Sequence, residues 1–302
     1  MRATDPGSAG QGQKARGMTT RRRVLTIMAG AALAGRAAGA AEWQGRVMGA
    51  EARLLIRAGR ASDQVMSDLH ARIARIEATF SLHAPSELSR LNRQGHVEAS
   101  GLLLDALHLA RRMHRATGGA FDPGVQPLWQ ALAQGTVPAR VLPMAGLQRR
   151  GRHLRLAPGQ ALTLNGLAQG LATDLVAQDL AHLGEVLVDM GETCALGGDF
   201  RLDLEDPAAG SLGQVTLRAG RAIATTSPGA LLFASGASHV IGPHGQPPLW
   251  SSVTVEAPTA ALADAASTAF ALMPAPAIRR AALGLGLGPV RLVDPRGDLI
   301  TL

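Results

Sequence analysis

The chain has 302 residues, 46% of them hydrophobic and 18% charged, a globular balance that excludes a disordered chain and supports one large domain or two small ones. The formal charge of +7 is concentrated in the first 40 residues, where Arg2, Lys14, Arg16, Arg21, Arg22, Arg23 and Arg36 face only Asp5; 23 of the 30 basic and 22 of the 23 acidic residues remain beyond them. That near-neutral remainder excludes a basic nucleic-acid footprint. The lone Cys194 excludes an intramolecular disulfide and a thiolate metal site, and it reads as a small buried hydrophobe.

The first predicted element is a leader. Arg21-Arg22-Arg23 precedes an apolar run from Val24 to Leu33, and Ala37-Ala38-Gly39-Ala40-Ala41 supplies small residues for cleavage after Ala40. This order predicts a signal peptide over residues 1–40, and the paired arginines resemble the twin-arginine signal that carries folded proteins to the periplasm. The apolar run is too short to cross roughly 30 Å of hydrocarbon.

Residues 41–302 read as one domain in which short strands and helices alternate. Arg53 to Ile56 is predicted as a strand. Ala61 to Phe80 has helical spacing, with Val65, Leu69, Ile73 and Ile76 on one face. A second amphipathic helix runs from Leu102 to Met113. Two short strands broken at Pro158-Gly159 are expected between His153 and Leu164. Leu167 to Leu183 is helical, with Gly184 as its C-cap. Strands dominate from Glu185 to Thr226, and Val253 to Val255 is another. Ala260 to Met273 is a helix stopped by Pro274, and two final strands flank Pro295-Arg296-Gly297. The partial segregation of strands from helices predicts an α+β fold with mixed or antiparallel sheets and flanking helices.

Chemistry enters at Asp264 and Thr268, four residues apart in a predicted helix, so that their oxygens share one face. A carboxylate with a hydroxyl suits a hard cation such as Mg²⁺. Read alone, Asp264 is equally compatible with the solvated side of the helix or with a cap on a neighbouring turn. Gly166 and Gly170 frame a helix start whose N–H groups can face a diphosphate, though such a pair is also an ordinary turn. Asp122 followed by Pro123 reads as a cap and first residue of a helix. Gly284-Leu285-Gly286-Leu287-Gly288 lacks phosphate-loop spacing and reads as a connector.

Five segments in order resemble the ApbE-type FAD:protein FMN transferases: Met48-Gly49-Ala50, Phe80 to Asn92, Thr117 to Pro123, Thr163 to Asp174 and Ala263 to Thr268. The resemblance spans about Arg46 to Met273. It implies an ApbE-like flavin transferase fold that moves FMN from the substrate FAD onto a Ser or Thr hydroxyl of an acceptor flavoprotein and releases AMP. It assigns Mg²⁺ to Asp264, Thr268 and the Gly166 carbonyl, and flavin-nucleotide contacts to Met48, His83, Ala120, Phe121, Asp122, Thr163, Gln169 and Ile241. Ser238 to Gly245 is similar to the family's histidine loop, which makes His239 the base; the family's aspartate is Gly242 here and the loop is one residue short. Thr163, Gln169 and Leu171 also depart from the usual family residues. Val188 to Glu192 matches the N-x-G-G turn in part. The Gly191-Glu192-Thr193 variant, with the leader, looks like the subgroup serving nitrous-oxide respiration, which implies a membrane-bound acceptor. A metal-dependent FAD pyrophosphatase and a periplasmic flavin carrier without catalysis are the alternatives.

Overall fold

The computed structural model describes residues 41–57, 61–136 and 141–302, so the predicted leader lies outside the described residues. The first strands, β1 (Ala41–Val47) and β2 (Ala50–Ile56), form an antiparallel hairpin. Its two-residue turn holds Met48 at φ +50° and Gly49 at +81°, the positive angles that match a turn to the strand twist. Helix α1 (Asp63–Phe80) starts where the Ser62 hydroxyl accepts the Val65 N–H (3.3 Å), and it buries Leu69, Ile73, Ile76 and Phe80. Helix α2 (Glu87–Gln94) opens with a reciprocal Ser86–Ser89 capping box and ends at Gly95 in the left-handed region. Next come β3 (His96–Glu98), α3 (Gly101–Ala116), α4 (Gln126–Gln134), β4 (Gln148–Arg150) and β5 (His153–Arg155); the three strands form a small sheet in the order β3-β5-β4.

The strand expected after Pro158-Gly159 does not form. The Asn92 side chain takes the place of a neighbouring strand there. Its amide donates to the Leu162 carbonyl, and its oxygen accepts the Leu162 N–H, both at 2.8 Å. The backbone is thereby satisfied without a sheet.

Helix α5 (Asn165–Leu180) is followed by a 3₁₀ turn and breaks at Gly184, as expected. Strands β6 (Val186–Asp189), β7 (Thr193–Leu196), β8 (Phe200–Asp206), β9 (Gly210–Leu217), β10 (Ala222–Thr226) and β11 (Ser252–Ala257) lead to α6 (Ala260–Phe270). Helix α6 ends at Phe270, short of the expected Met273, and Pro274 caps the start of α7 (Ala275–Leu285), to which the final strands β12 (Val290–Val293) and β13 (Leu299–Thr301) are added. The principal sheet has the order β1-β2-β6-β7-β10-β11-β12-β13, with every neighbouring pair antiparallel. This is the α+β architecture the sequence predicts. Among the described residues no helix is long and apolar enough to cross a membrane.

Both faces of this sheet are covered, and strand alternation shows how. Val186 and Val188 join the main core under α5 and α6, while Leu187 turns the other way, with Ala195 and Ile223, into a second core beneath the β8–β9 hairpin. Helix α6, in which ten of eleven residues are buried, lies between α5 and strands β10 and β11. It can do so because its side chains are small.

At the α5–α6 crossing, a Cβ on Gly170 would be driven into the Ala260 carbonyl and the Ala261 Cα. Gly170→Ala should therefore destabilise the protein by roughly 1–3 kcal/mol through overpacking. Denaturant unfolding measures this; an unchanged midpoint would show that the two helices part without strain.

Candidate active site

The same crossing builds one wall of an open cleft. The Gly170 N–H donates to Asp264 Oδ2 at 3.1 Å, which orients a carboxylate only 4% exposed. The phosphate role expected of the Gly170 end of the pair is thus corrected: its N–H faces Asp264, and its missing side chain lets the helices touch. Gly166 departs from helical geometry at φ −85° and ψ 16°. A Cβ there would lie 3.0 Å from Thr268 Oγ1, so its bare backbone sits beside that hydroxyl. Thr268 is the one residue of α6 that is not buried, and it lines the cleft with Gly166 and Asp264. Carbonyl, hydroxyl and carboxylate form an all-oxygen donor set of the kind Mg²⁺ takes.

Two further residues fix these groups. Asp174, on α5, accepts the Ala260 and Ala261 N–H groups (2.7 and 2.9 Å), while Thr259 Oγ1 accepts that of Leu262. Together they cap the helix that carries Asp264 and Thr268. Burial raises the Asp174 pKa to about 6 against the lowering effect of the two amides. Thr173, also on α5, holds the β6–β7 turn: its hydroxyl donates to the Glu192 carbonyl (2.7 Å) and accepts the Met190 N–H (3.3 Å). In that turn Asp189 Oδ1 accepts the Gly191 N–H (2.9 Å), and Gly191 has φ +112°.

His239 also lines the cleft, from the segment between β10 and β11. The Leu231 carbonyl receives both its backbone N–H (3.1 Å) and its ring Nδ1 (3.0 Å). A carbonyl only accepts, so the ring donates through Nδ1 in this contact, which fixes its orientation. At Gly242, a Cβ would collide with the Gln246 side chain, whose oxygen accepts the His244 N–H (2.9 Å). Gln246 thus occupies the space that a side chain at Gly242 would need.

Of the residues predicted for the site, Thr163, Gly166, Gln169, His239, Ile241, Asp264 and Thr268 line this single cleft. Met48, His83, Ala120, Phe121 and Asp122 do not. Met48 is in the β1–β2 turn, where its N–H donates to Glu77 Oε1 (3.1 Å), and the next residue but one, Ala50, reaches the cleft. His83 is exposed in the α1–α2 loop. Phe121 is buried, and Ala120 packs against the core beside it. Asp122 is committed to structure: Oδ1 accepts the N–H groups of Gly124 and Met144, both at 2.8 Å, and His114 Nδ1 lies 3.5 Å from Oδ2. Its reading as a cap before Pro123 therefore holds. Residues not singled out as site members also line the cleft, among them Trp129, Asp189, Glu192, Thr193 and Ser227. The partial N-x-G-G match contained Asp189 and Glu192, and Thr193 follows it directly; Trp129 and Ser227 carried no spacing signal.

The ApbE family profile matches residues 48–285. The chain belongs to the ApbE family. Among solved structures, the apo flavinyl transferase ApbE of Pseudomonas stutzeri is 22% identical with a TM-score of 0.73, covering 87% of this chain and 94% of its own. The flavin transferase ApbE from Vibrio cholerae is 24% identical with a TM-score of 0.71, covering 87% and 96%. The Thermotoga maritima ApbE protein is 22% identical with a TM-score of 0.72, covering 86% and 96%. No curated protein matches the sequence.

The cleft of this ApbE-family chain is acidic. Asp189, Glu192 and Asp264 line it, and no lysine or arginine does so among the described residues. Thr193 and Ser227 are 1% and 6% exposed, yet their hydroxyls have no hydrogen-bond partner among the described residues. Buried hydroxyls left this way are costly, and both residues line the cleft. Cys194, by contrast, is inert: burial first, and the Asp174 charge second, push its thiol up to about 12.

The raised Asp174 pKa has a defined sign. The folded chain holds this proton more tightly than the unfolded chain, so Asp174 contributes stability that is full below about pH 4 and lost as pH rises through about 6. Thermal unfolding of wild type and Asp174→Asn across that window checks this. The wild-type melting temperature, relative to the variant's, should fall with rising pH and level off above 6; a constant difference would refute the assignment.

Proposed function

We propose that this chain transfers FMN from FAD to a Ser or Thr hydroxyl of an acceptor flavoprotein, releasing AMP. The observation that carries the reading is the convergence, across one cleft, of the Gly166–Asp264–Thr268 oxygen set and a histidine poised as a base. Three carboxylates without a lysine or arginine would repel a diphosphate, so an anionic nucleotide enters this cleft only with a countercharge. Gly166, Asp264 and Thr268 would hold Mg²⁺, which when bound neutralises charge on the diphosphate and the departing AMP.

In the step itself, the acceptor oxygen forms a bond to the FMN phosphorus while the bond from that phosphorus to the AMP oxygen breaks. The hydroxyl proton passes to His239 Nε2. Most of the rate advantage comes from holding the groups in line. The acceptor must displace bulk water, which makes the docked complex, rather than the enzyme alone, the reactive species.

With FAD, Mg²⁺ and an acceptor domain, the wild type should release one AMP per acceptor and add one FMN to a single Ser or Thr by mass spectrometry. Asp264→Ala should lower the rate about 10²-fold or more. His239→Asn should lower it about 10²–10⁴-fold with FAD affinity retained. Release of free FMN that no acceptor diverts would make the chain a pyrophosphatase, and intact FAD with every acceptor would make it a carrier.

We also propose export by the twin-arginine route to a membrane-bound acceptor, supported by Arg21-Arg22 ahead of a short apolar run. N-terminal sequencing of periplasmic protein should read from Ala41; an intact leader on cytoplasmic protein would overturn this.

A further inference from the structure

The flavin contacts implied by the family resemblance at His83, Ala120, Phe121 and Asp122 do not line the cleft. We infer that Trp129 is the stacking platform for the isoalloxazine ring, an inference that rests on the FMN-transfer reading and assigns its ring-binding wall.

Among the described residues, Trp129, on α4, is the one Phe, Tyr or Trp side chain lining the cleft. The sequence has no tyrosine and three tryptophans, and the other two are engaged elsewhere. Trp43 meets His70 edge-on, and the Trp250 indole N–H donates to the Met273 carbonyl (2.9 Å). Trp129 is half-buried and meets Phe233 in a T-shaped contact, with centroids 5.2 Å apart and planes at 79°. In such a pair one ring presents its edge to the other's face. Phe233 therefore occupies at most one face of the indole. Val125, Ala230, Val240 and Ile241 line the same cleft and supply apolar surface for a planar ligand. The opposite character, acids and hydroxyls, belongs to the β6–β7 turn and the end of β10.

FAD carries two planar ends, and the loop geometry selects between them. Phe233 and His239 share one small hairpin: Phe233 N–H donates to the Ala237 carbonyl (2.8 Å), and His239 is tied to Leu231. Trp129 thus lies on the His239 flank. In-line displacement puts the acceptor oxygen and its base on one side of the phosphorus and the leaving AMP on the other. Adenine accordingly lies away from Trp129, and the flavin is the ring that can reach it.

The test is binding rather than turnover. Equilibrium titration of the whole chain with FMN and, separately, AMP is compared in wild type, Trp129→Phe and Trp129→Ala. Aromatic stacking of a base is worth about 1–3 kcal/mol, or roughly 5–150-fold in affinity. Trp129→Ala should weaken FMN by that factor and leave AMP unchanged, and Trp129→Phe should retain most of the affinity. Bound FMN should also show quenched emission and a red-shifted absorption shoulder in the wild type, both lost in Trp129→Ala, a signature that a purely structural role would not produce. Equal FMN affinity and unaltered flavin spectra in Trp129→Ala would overturn the inference while leaving the transferase reading standing. Loss of AMP rather than FMN affinity would overturn it by assigning the platform to adenine. Failure of the wild type to bind FMN or FAD at all would instead overturn the functional reading on which it rests.

Discussion

The site depends on two helices meeting with no side chain between them. At Gly170 the backbone of α5 lies directly against Ala260, and the same residue's N–H orients Asp264. One turn away, the bare Gly166 backbone lies beside Thr268. A larger residue at either glycine would separate the oxygens that share the cleft. The alanine-rich character of α6 follows from this constraint. A helix buried on nearly all sides must fill the gap between α5 and the sheet, and small side chains allow its polar pair to approach α5. Asp174 completes the arrangement by capping α6 from α5, so the helices are joined through backbone groups at both Ala260 and Gly170.

How far the sequence was legible follows from the range over which each residue acts. Helices α1, α3 and α5 and the strands from β6 onward were readable because periodicity and capping are local properties. Between His153 and Leu164 the strand expected after Pro158-Gly159 is absent because the hydrogen-bonding partner there is the side chain of Asn92, 70 residues away, and no local pattern announces that. Asp122 illustrates the converse. A local rule, an acid before proline, identified its structural role as a cap.

Within the site, Asp264, Thr268, Gly166 and His239 were found through spacing and family resemblance, and the fold brings them to one cleft. Gly170 was assigned to phosphate because a glycine at a helix start has two uses, exposing an amide or admitting a neighbour, and only the packing distinguishes them. Trp129 and Ser227 escaped notice because cleft membership is a tertiary property. Ser227 follows β10 and becomes significant only through its burial without a partner. The sequence leaves open what the Gly242 departure does to activity; in the structure the Gln246 side chain occupies the space beside Gly242, and His239 is tied to Leu231.

The charge of the cleft links these features to selectivity. A phosphate site built from lysine or arginine would accept phosphorylated metabolites on charge alone. Here Asp189, Glu192 and Asp264 oppose any bare anion, and under the proposed function the countercharge would be a cation held by the oxygen set. Recognition then falls to the uncharged parts of the ligand. The β6–β7 turn presents polar groups to the cleft, and the indole of Trp129 rewards a planar ring. A ligand that lacks either part leaves buried polar groups unsatisfied or apolar surface wet, and such omissions discriminate more strongly than attraction does. An acidic cleft thereby favours a dinucleotide with a flat aromatic end over the simpler phosphates that outnumber it.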